Sequence, residues 1–209
     1  EGFESGSGIG VRGRVGGRQL ALGNTALMDQ LGVDLSGLAA QGEALRGQGA
    51  SVMFLAGDER LIGLLAVSDA VKTNTPEALA TLRSEGLRVV MATGDGLTTA
   101  RAVATRLGID EVHGEVKPAD KLALVRRLQA EGRVVAMAGD GINDAPALAE
   151  ADIGIAMGTG TDVAMNSAQV TLVKGDLRGI AAARALSVQT VAHLKQNLGF
   201  AFVYKSLGV

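Results

Sequence analysis

Two short stretches of this chain are near-copies of each other. Arg88-Val-Val-Met-Ala-Thr-Gly-Asp-Gly96 and Arg133-Val-Val-Ala-Met-Ala-Gly-Asp-Gly141 both carry an apolar run into a glycine–acid turn. A short apolar run bounded by turn residues reads as a buried strand, and each run is followed by a helical stretch. Strand–helix repetition of this kind specifies an α/β fold with a parallel sheet. Parallel strands present their carboxyl ends at one edge, where open α/β sheets bind ligands. The repeat therefore predicts that Thr93, Gly94 and Asp95 face Asp140 and Asp144 across one crevice.

The residue types at those turns suit phosphate chemistry. Asp140 and Asp144 offer two carboxylates around two glycines, and Mg²⁺ takes one or two protein oxygens together with waters and a substrate phosphate. Gly139 and Gly141 let backbone approach a ligand where a Cβ would obstruct it. A bare Gly-Asp-Gly is equally compatible with a capped helix start bearing solvated acids. Thr93 supplies a hydroxyl, and Gly94 an N–H, to a phosphoryl oxygen. The helix after the first turn, 98–107, closes at Gly108. Pro118 opens another helix that runs to about Glu131, with Leu122, Val125 and Leu128 on one stripe. Lys121, near its start, is the natural cation for a phosphoryl group.

The flanking segments read differently. In the first sixty residues, alternation over Ile9–Val15 and Gln19–Leu22 around Gly16-Gly17 predicts a hairpin. Helical stretches at 26–31 and 35–46 follow, then a strand pair, 52–56 and 61–67, joined through Gly57-Asp-Glu. Thr75-Pro76-Glu77 reads as a helix start capped by Thr75. Beyond the acids come a strand at 153–157, a turn at 158–162, a short helix at 163–168, a strand at 170–173 and a long helix capped by Asp176. The chain has 209 residues, 47% of them hydrophobic, which suffices for one large domain or two small ones. A net charge of −2 with no basic run gives nucleic-acid binding no support. Without cysteine, thiolate nucleophiles and Cys-based metal sites are excluded within these residues.

The string Gly139-Asp-Gly-Ile-Asn-Asp-Ala-Pro-Ala-Leu148 resembles the magnesium-site signature of P-type ion-pumping ATPases. The order of threonine loop, helix-start lysine and paired acids is that of the haloacid dehalogenase superfamily, which includes their phosphorylation domain. The resemblance implies a Rossmann-like phosphorylation domain preceded by part of an α+β nucleotide-binding domain. It implies Mg²⁺ organised by Asp140 and Asp144, and catalytic roles for Thr93, Gly94, Asp95, Lys121 and Asn143. Gly6-Ser-Gly8-Ile9 with Gly23-Asn24 is similar to the nucleotide-binding domain of the heavy-metal pumps, where these positions contact ATP. Asp69-Ala-Val-Lys72 resembles the family's hinge element, although Asp69 is equally readable as a turn residue. The family's phospho-acceptor string, Asp-Lys-Thr-Gly-Thr, does not occur in this chain.

The chain is accordingly expected to be a C-terminal fragment of a longer pump. Its divisions would be a partial nucleotide domain and hinge at 1–63, a phosphorylation domain at 64–185, and a linker helix with the start of a truncated transmembrane helix at 186–209. The parent would be a membrane protein with these residues mostly on the cytoplasmic side, working with its own membrane and actuator domains. Gln196–Tyr204 is similar to copper and silver pumps, so Asn197 and Tyr204 become candidates for the transported-ion site and Cu⁺ the favoured cargo. Lys205 departs from that pattern and fits zinc, cadmium and lead pumps. Two other expectations stay open: a soluble phosphohydrolase of the same superfamily, and a non-catalytic nucleotide-binding module.

Overall fold

A computed structural model describes residues 2–6, 8–158 and 162–208. The chain groups into two compact units, residues 1–71 with 90–116, and residues 72–89 with 117–209. The expected turn at 158–162 falls largely outside the described residues.

The first unit is built on a five-stranded antiparallel sheet in the order β1-β2-β3-β4-β5. Its strands are β1 (Glu4–Gly6), β2 (Gly10–Val15), β3 (Arg18–Gly23), β4 (Ser51–Gly57) and β5 (Arg60–Val67). Gly16 and Gly17, at φ +58° and +80°, form the two-residue turn of the expected hairpin. Asp58 and Glu59 make the same kind of turn between β4 and β5, at φ 48° and 63°. There the left-handed backbone is not given to glycine. Asp58 is tied instead by the Arg18 guanidinium at 3.0 Å and the Gln19 N–H at 3.1 Å. Helices α1 (Thr25–Gln30) and α2 (Ala39–Gly47) cover one face. Phe54, 1% exposed, Met28, Leu27, Val52 and Ala56 form the core between them. Arg46 lies over the Phe54 ring, 5.6 Å from its centroid.

The same unit holds β6 (Val90–Ala92), α4 (Leu97–Leu107) and β7 (Glu111–His113). The strands β6 and β7 pair in parallel. Gly108 ends α4 in the left-handed conformation at φ 64°, as its position suggested. The β7 strand was not foreseen, because three residues are too few to show a period.

The second unit carries a three-stranded parallel sheet in the order β10-β9-β8. These are β8 (Ala136–Gly139), β9 (Ile153–Met157) and β10 (Val170–Leu172), and α3 (Thr75–Ser84), α5 (Pro118–Ala130), α6 (Ala145–Glu150), α7 (Asp162–Asn166) and α8 (Arg178–Ser206) belong to the same unit. Val125, Ala147 and Ala151 pack with Val135 and Met137 between α5, α6 and the sheet.

Three local expectations need correction. Thr75 is the first helical residue of α3 and Asn74 occupies the cap position. The helical stretch expected after the second apolar run is entered through a tight turn at Ile142–Asp144, which includes Asp144 itself, so α6 proper starts at Ala145. Most consequentially, β6 and β8 do not share a sheet: β6 is paired with β7, and β8 with β9. Two similar strand-turn sequences establish a local form, but the hydrogen-bond partner of each strand depends on segments far along the chain.

Candidate active site

Asp144 is the centre of the second unit's site. It is 6% exposed, at the end of the turn that follows β8. Its Oδ1 accepts from Lys121 Nζ at 2.6 Å, and its Oδ2 accepts from the Gly141 N–H at 3.2 Å. A carboxylate buried this far would be costly without such partners, and here both oxygens have one. Gly139 makes the packing possible: a Cβ there would stand 2.7 Å from Asp144 Cβ and 2.8 Å from its Oδ2. The glycine that closes β8 is thus demanded by the carboxylate behind it. Lys121 is delivered by the first turn of α5, which starts at Pro118. Asp120 caps that turn by accepting from the Lys117 N–H at 3.0 Å. Asp140 and Asn143 are exposed on the same turn.

The Thr93–Asp95 loop lies in the first unit and is held from two directions. The Thr93 N–H donates to His113 O at 2.9 Å, and the Val116 N–H donates to Thr93 O at 2.9 Å. The Glu115 N–H donates to Asp95 O at 2.7 Å, from a residue in the left-handed region at φ 57°. A non-glycine residue there costs about 1–3 kcal/mol, so the surrounding bonds must over-determine it. Within the loop, Thr93 Oγ1 donates to Asp95 Oδ2 at 2.9 Å and accepts from the Asp95 N–H at 3.1 Å. Asp95 Oδ1 accepts from Ser51 Oγ at 2.9 Å. The 113–116 segment and Ser51 escaped sequence reasoning. Their part is played by backbone groups and one small hydroxyl, which carry no motif.

The candidate nucleotide residues converge where β2 begins and β3 ends. Gly10 pairs with both Gly6 and Gly23. Asn24 caps α1, its Oδ1 accepting from the Leu27 N–H at 3.2 Å, while its Nδ2 donates to Gly8 O at 3.0 Å. The Asn24 N–H donates to Ile9 O at 2.9 Å. A Cβ on Gly23 would meet that same oxygen at 2.3 Å, so the two backbones approach as only glycine permits. Asn24 thus builds the loop that Gly8 and Ile9 present.

Asn197 and Tyr204 are seven positions apart on α8, hence on one face, and both are exposed. No helix among the described residues is long and apolar enough to cross a membrane.

The donor chemistry around Asp144 suits Mg²⁺. Two carboxylates stand at the carboxyl end of β8, all the donors are oxygen, and ionised carboxylates have lone pairs beyond those used by Lys121 and Gly141. Among the described residues no group of three or more His, Cys, Asp or Glu side chains could hold a metal. A cation here would therefore complete its shell with waters and a substrate phosphate, as Mg²⁺ does.

Residues 4–152 match the family model of haloacid dehalogenase-like hydrolases. The chain is 55% identical over 208 residues to a copper-transporting P-type ATPase of Rhizobium leguminosarum bv. viciae, spanning 100% of this chain and 25% of that protein. It is 53% identical over 207 residues to a silver-exporting P-type ATPase of Salmonella typhimurium, spanning 99% of this chain and 25% of that protein. Among solved structures, a zinc-transporting PIB-type ATPase in its E2.Pi state gives a TM-score of 0.68 at 32% identity, covering 94% of this chain and 32% of that one. The catalytic domain of the CPx-ATPase CopB-B gives 0.60 at 26% identity, covering 87% and 63%.

Proposed function

Because this chain belongs to the haloacid dehalogenase-like hydrolase family, we propose that its buried acid–lysine pair serves phosphoryl transfer in an ATP-driven heavy-metal pump, with Cu⁺ as the cargo. The chain would supply part of the nucleotide-binding domain and most of the phosphorylation domain of that pump. The Lys121–Asp144 pair at the carboxyl end of β8 carries the reading. The metal-pump part of the reading is supported by relatives of which the chain spans about a quarter, a copper-transporting P-type ATPase of Rhizobium leguminosarum bv. viciae and a silver-exporting one of Salmonella typhimurium.

The residues divide the work by chemistry. Asp140 and Asp144 would hold Mg²⁺, which when bound supplies charge stabilisation at the transferring phosphoryl oxygens. Lys121 fixes Asp144 by its short charge-assisted bond and leaves two further donors for a phosphoryl oxygen. Thr93 and the Gly94 N–H are the donors proposed from the other loop, with Asp95 orienting Thr93. Asn143 stands exposed beside the acids as a neutral donor. Gly6, Gly8, Ile9, Gly23 and Asn24 form the nucleotide loop, where backbone of Gly8 and Ile9 is offered to ATP and Asn24 holds its shape. The chain holds no Asp-Lys-Thr-Gly-Thr acceptor, so the covalent step needs a carboxylate outside these residues.

One observation favours a second cargo. Lys205 lies next to Tyr204 on α8 and fits the divalent-metal pattern, and a zinc-transporting pump is among the similar structures. Metal-stimulated ATPase activity of the complete pump, measured with Cu⁺ and Zn²⁺ for wild type and Lys205→Asn, tests the cargo. Copper stimulation in both proteins supports the proposal. Zinc stimulation of wild type, lost in Lys205→Asn, overturns it.

A further inference from the structure

The connection between α2 and β4 is stitched to α4 at three points, all within the first unit. Arg106 Nη2 donates to Gln48 O at 2.8 Å, Thr99 Oγ1 donates to Ala50 O at 2.8 Å, and Ser51 Oγ donates to Asp95 Oδ1 at 2.9 Å. Residues 48, 50 and 51 thus meet 106, 99 and 95 in antiparallel order. Thr99 is 4% exposed, so its bond to Ala50 is inside the protein. Gly49 lets the segment come this close: at φ +89°, a Cβ there would stand 2.8 Å from Arg106 Nη2. The first two bonds end on backbone carbonyls and fix where the segment lies. The third ends on the carboxylate that organises the Thr93 loop.

A threonine hydroxyl has one proton, and Thr93 spends it on Asp95 Oδ2. While Asp95 depends on that proton, Thr93 cannot donate to a phosphoryl oxygen. Ser51 gives Asp95 a second, independent donor on its other oxygen. With it, the Thr93 hydrogen can rotate out towards a phosphoryl group while Asp95 keeps a charge-assisted bond and stays in place. The Asp95 N–H continues to hold the Thr93 oxygen throughout. We propose that Ser51, the first residue of β4 and opposite Val67 in the β4–β5 ladder, is a positioning residue for this loop, holding Asp95 so that the Thr93 hydroxyl is free to serve the phosphoryl group. The role rests on the phosphoryl-binding function proposed for Thr93.

The test uses Ser51→Ala and Ser51→Thr, the latter keeping the hydroxyl. In the complete pump, Ser51→Ala should slow phosphoenzyme formation at saturating ATP by about 3–10-fold, the expected effect of one lost hydrogen bond. The half-saturating ATP concentration should stay unchanged, and Ser51→Thr should restore the rate. An unchanged rate, or a raised ATP requirement with the rate intact, would overturn the assignment. Hydrogen exchange on the present chain decides independently of the pump reading. The Gly94 and Asp95 amides should exchange faster in Ser51→Ala alone, with Phe54–Ala56 of β4 unaffected; identical exchange in all three proteins would overturn the role. A wild-type pump that forms no phosphoenzyme would sink the pump reading, and the exchange pattern would still judge Ser51.

Discussion

Asp144 has both oxygens engaged and almost no water, which makes it the residue most exposed to a change in its partners. Breaking a buried ion pair from one side costs about 3–5 kcal/mol, and because the Lys121 side chain keeps 16% exposure the low end applies here. Lys121→Met should therefore destabilise the chain by about 3 kcal/mol in urea unfolding, and adding Asp144→Asn should recover most of that loss. A Lys121→Met protein as stable as wild type would show that the pair is not buried in solution. Gly139→Ala should cost about 1–3 kcal/mol by overpacking against Asp144 and should weaken Mg²⁺ binding, measured by calorimetry. Asn24 offers a finer test, since it is a helix cap as well as a loop tether. Asn24→Ala should lose about 1 kcal/mol of stability, while Asn24→Asp keeps the capping oxygen and loses only the bond to Gly8. Asp140, Asp144, Lys121 and Thr93 could be picked out as candidates because they sit in punctuated strings. Their partners could not. Nothing in the sequence near Asp95 points to Ser51, which is 44 positions away, and nothing near Thr93 announces that its proton is already committed.

At the scale of elements, two carboxylates of the second unit are each held by several hydrogen bonds. Val135 N–H donates to Asp152 Oδ2 at 2.8 Å, joined by Gln129 Nε2, and these bonds hold the Asp152 carboxyl below its ordinary value of 3.8. Asp176 is held below the same value by the Arg178 guanidinium and N–H at the head of α8, with a further bond from Asn74. A carboxylate whose folded pKa is depressed lends stability that is complete above its unfolded pKa and is lost as pH falls through the folded one. The share of stability that these two carboxylates lend should thus be complete above their ordinary unfolded value and decline as pH falls through their lowered folded values, and Asp152→Asn should make that decline shallower in a urea–pH series. The helix α8 behaves differently along its length. Its first turns are covered, with Ala181 buried, whereas Phe200 and Tyr204 are each 66% exposed. Amides of 190–206 should exchange rapidly in the isolated chain and become protected in lipid micelles, the outcome expected if this apolar stretch continues into a membrane helix. Protection that is equal with and without lipid would count against that continuation. Elements with punctuation were readable in advance: β9 by its apolar run, α4 by Gly108, α5 by Pro118. What could not be read was pairing. The strands β6 and β8 come from near-copy segments yet lie in different ladders, because a ladder is chosen by tertiary neighbours and not by the strand's own residues.

For the molecule as a whole, the fold class and the haloacid dehalogenase-like family could be reached from the glycine–acid turns, while the grouping of residues 90–116 with the first unit could not. The pump proposal makes a division of labour: these residues hold Mg²⁺, nucleotide and phosphoryl oxygens, and the carboxylate that accepts the phosphoryl group comes from elsewhere in the same protein. Labelling with γ-phosphate-labelled ATP and Mg²⁺, with and without Cu⁺, tests that division most directly when run on three proteins: the complete pump, its Asp140→Asn variant and the present chain alone. Acid-stable, Cu⁺-dependent label is expected on the complete pump, label near background in Asp140→Asn, and none on the chain alone. Stoichiometric label on the chain alone, or full labelling of Asp140→Asn, would contradict that division.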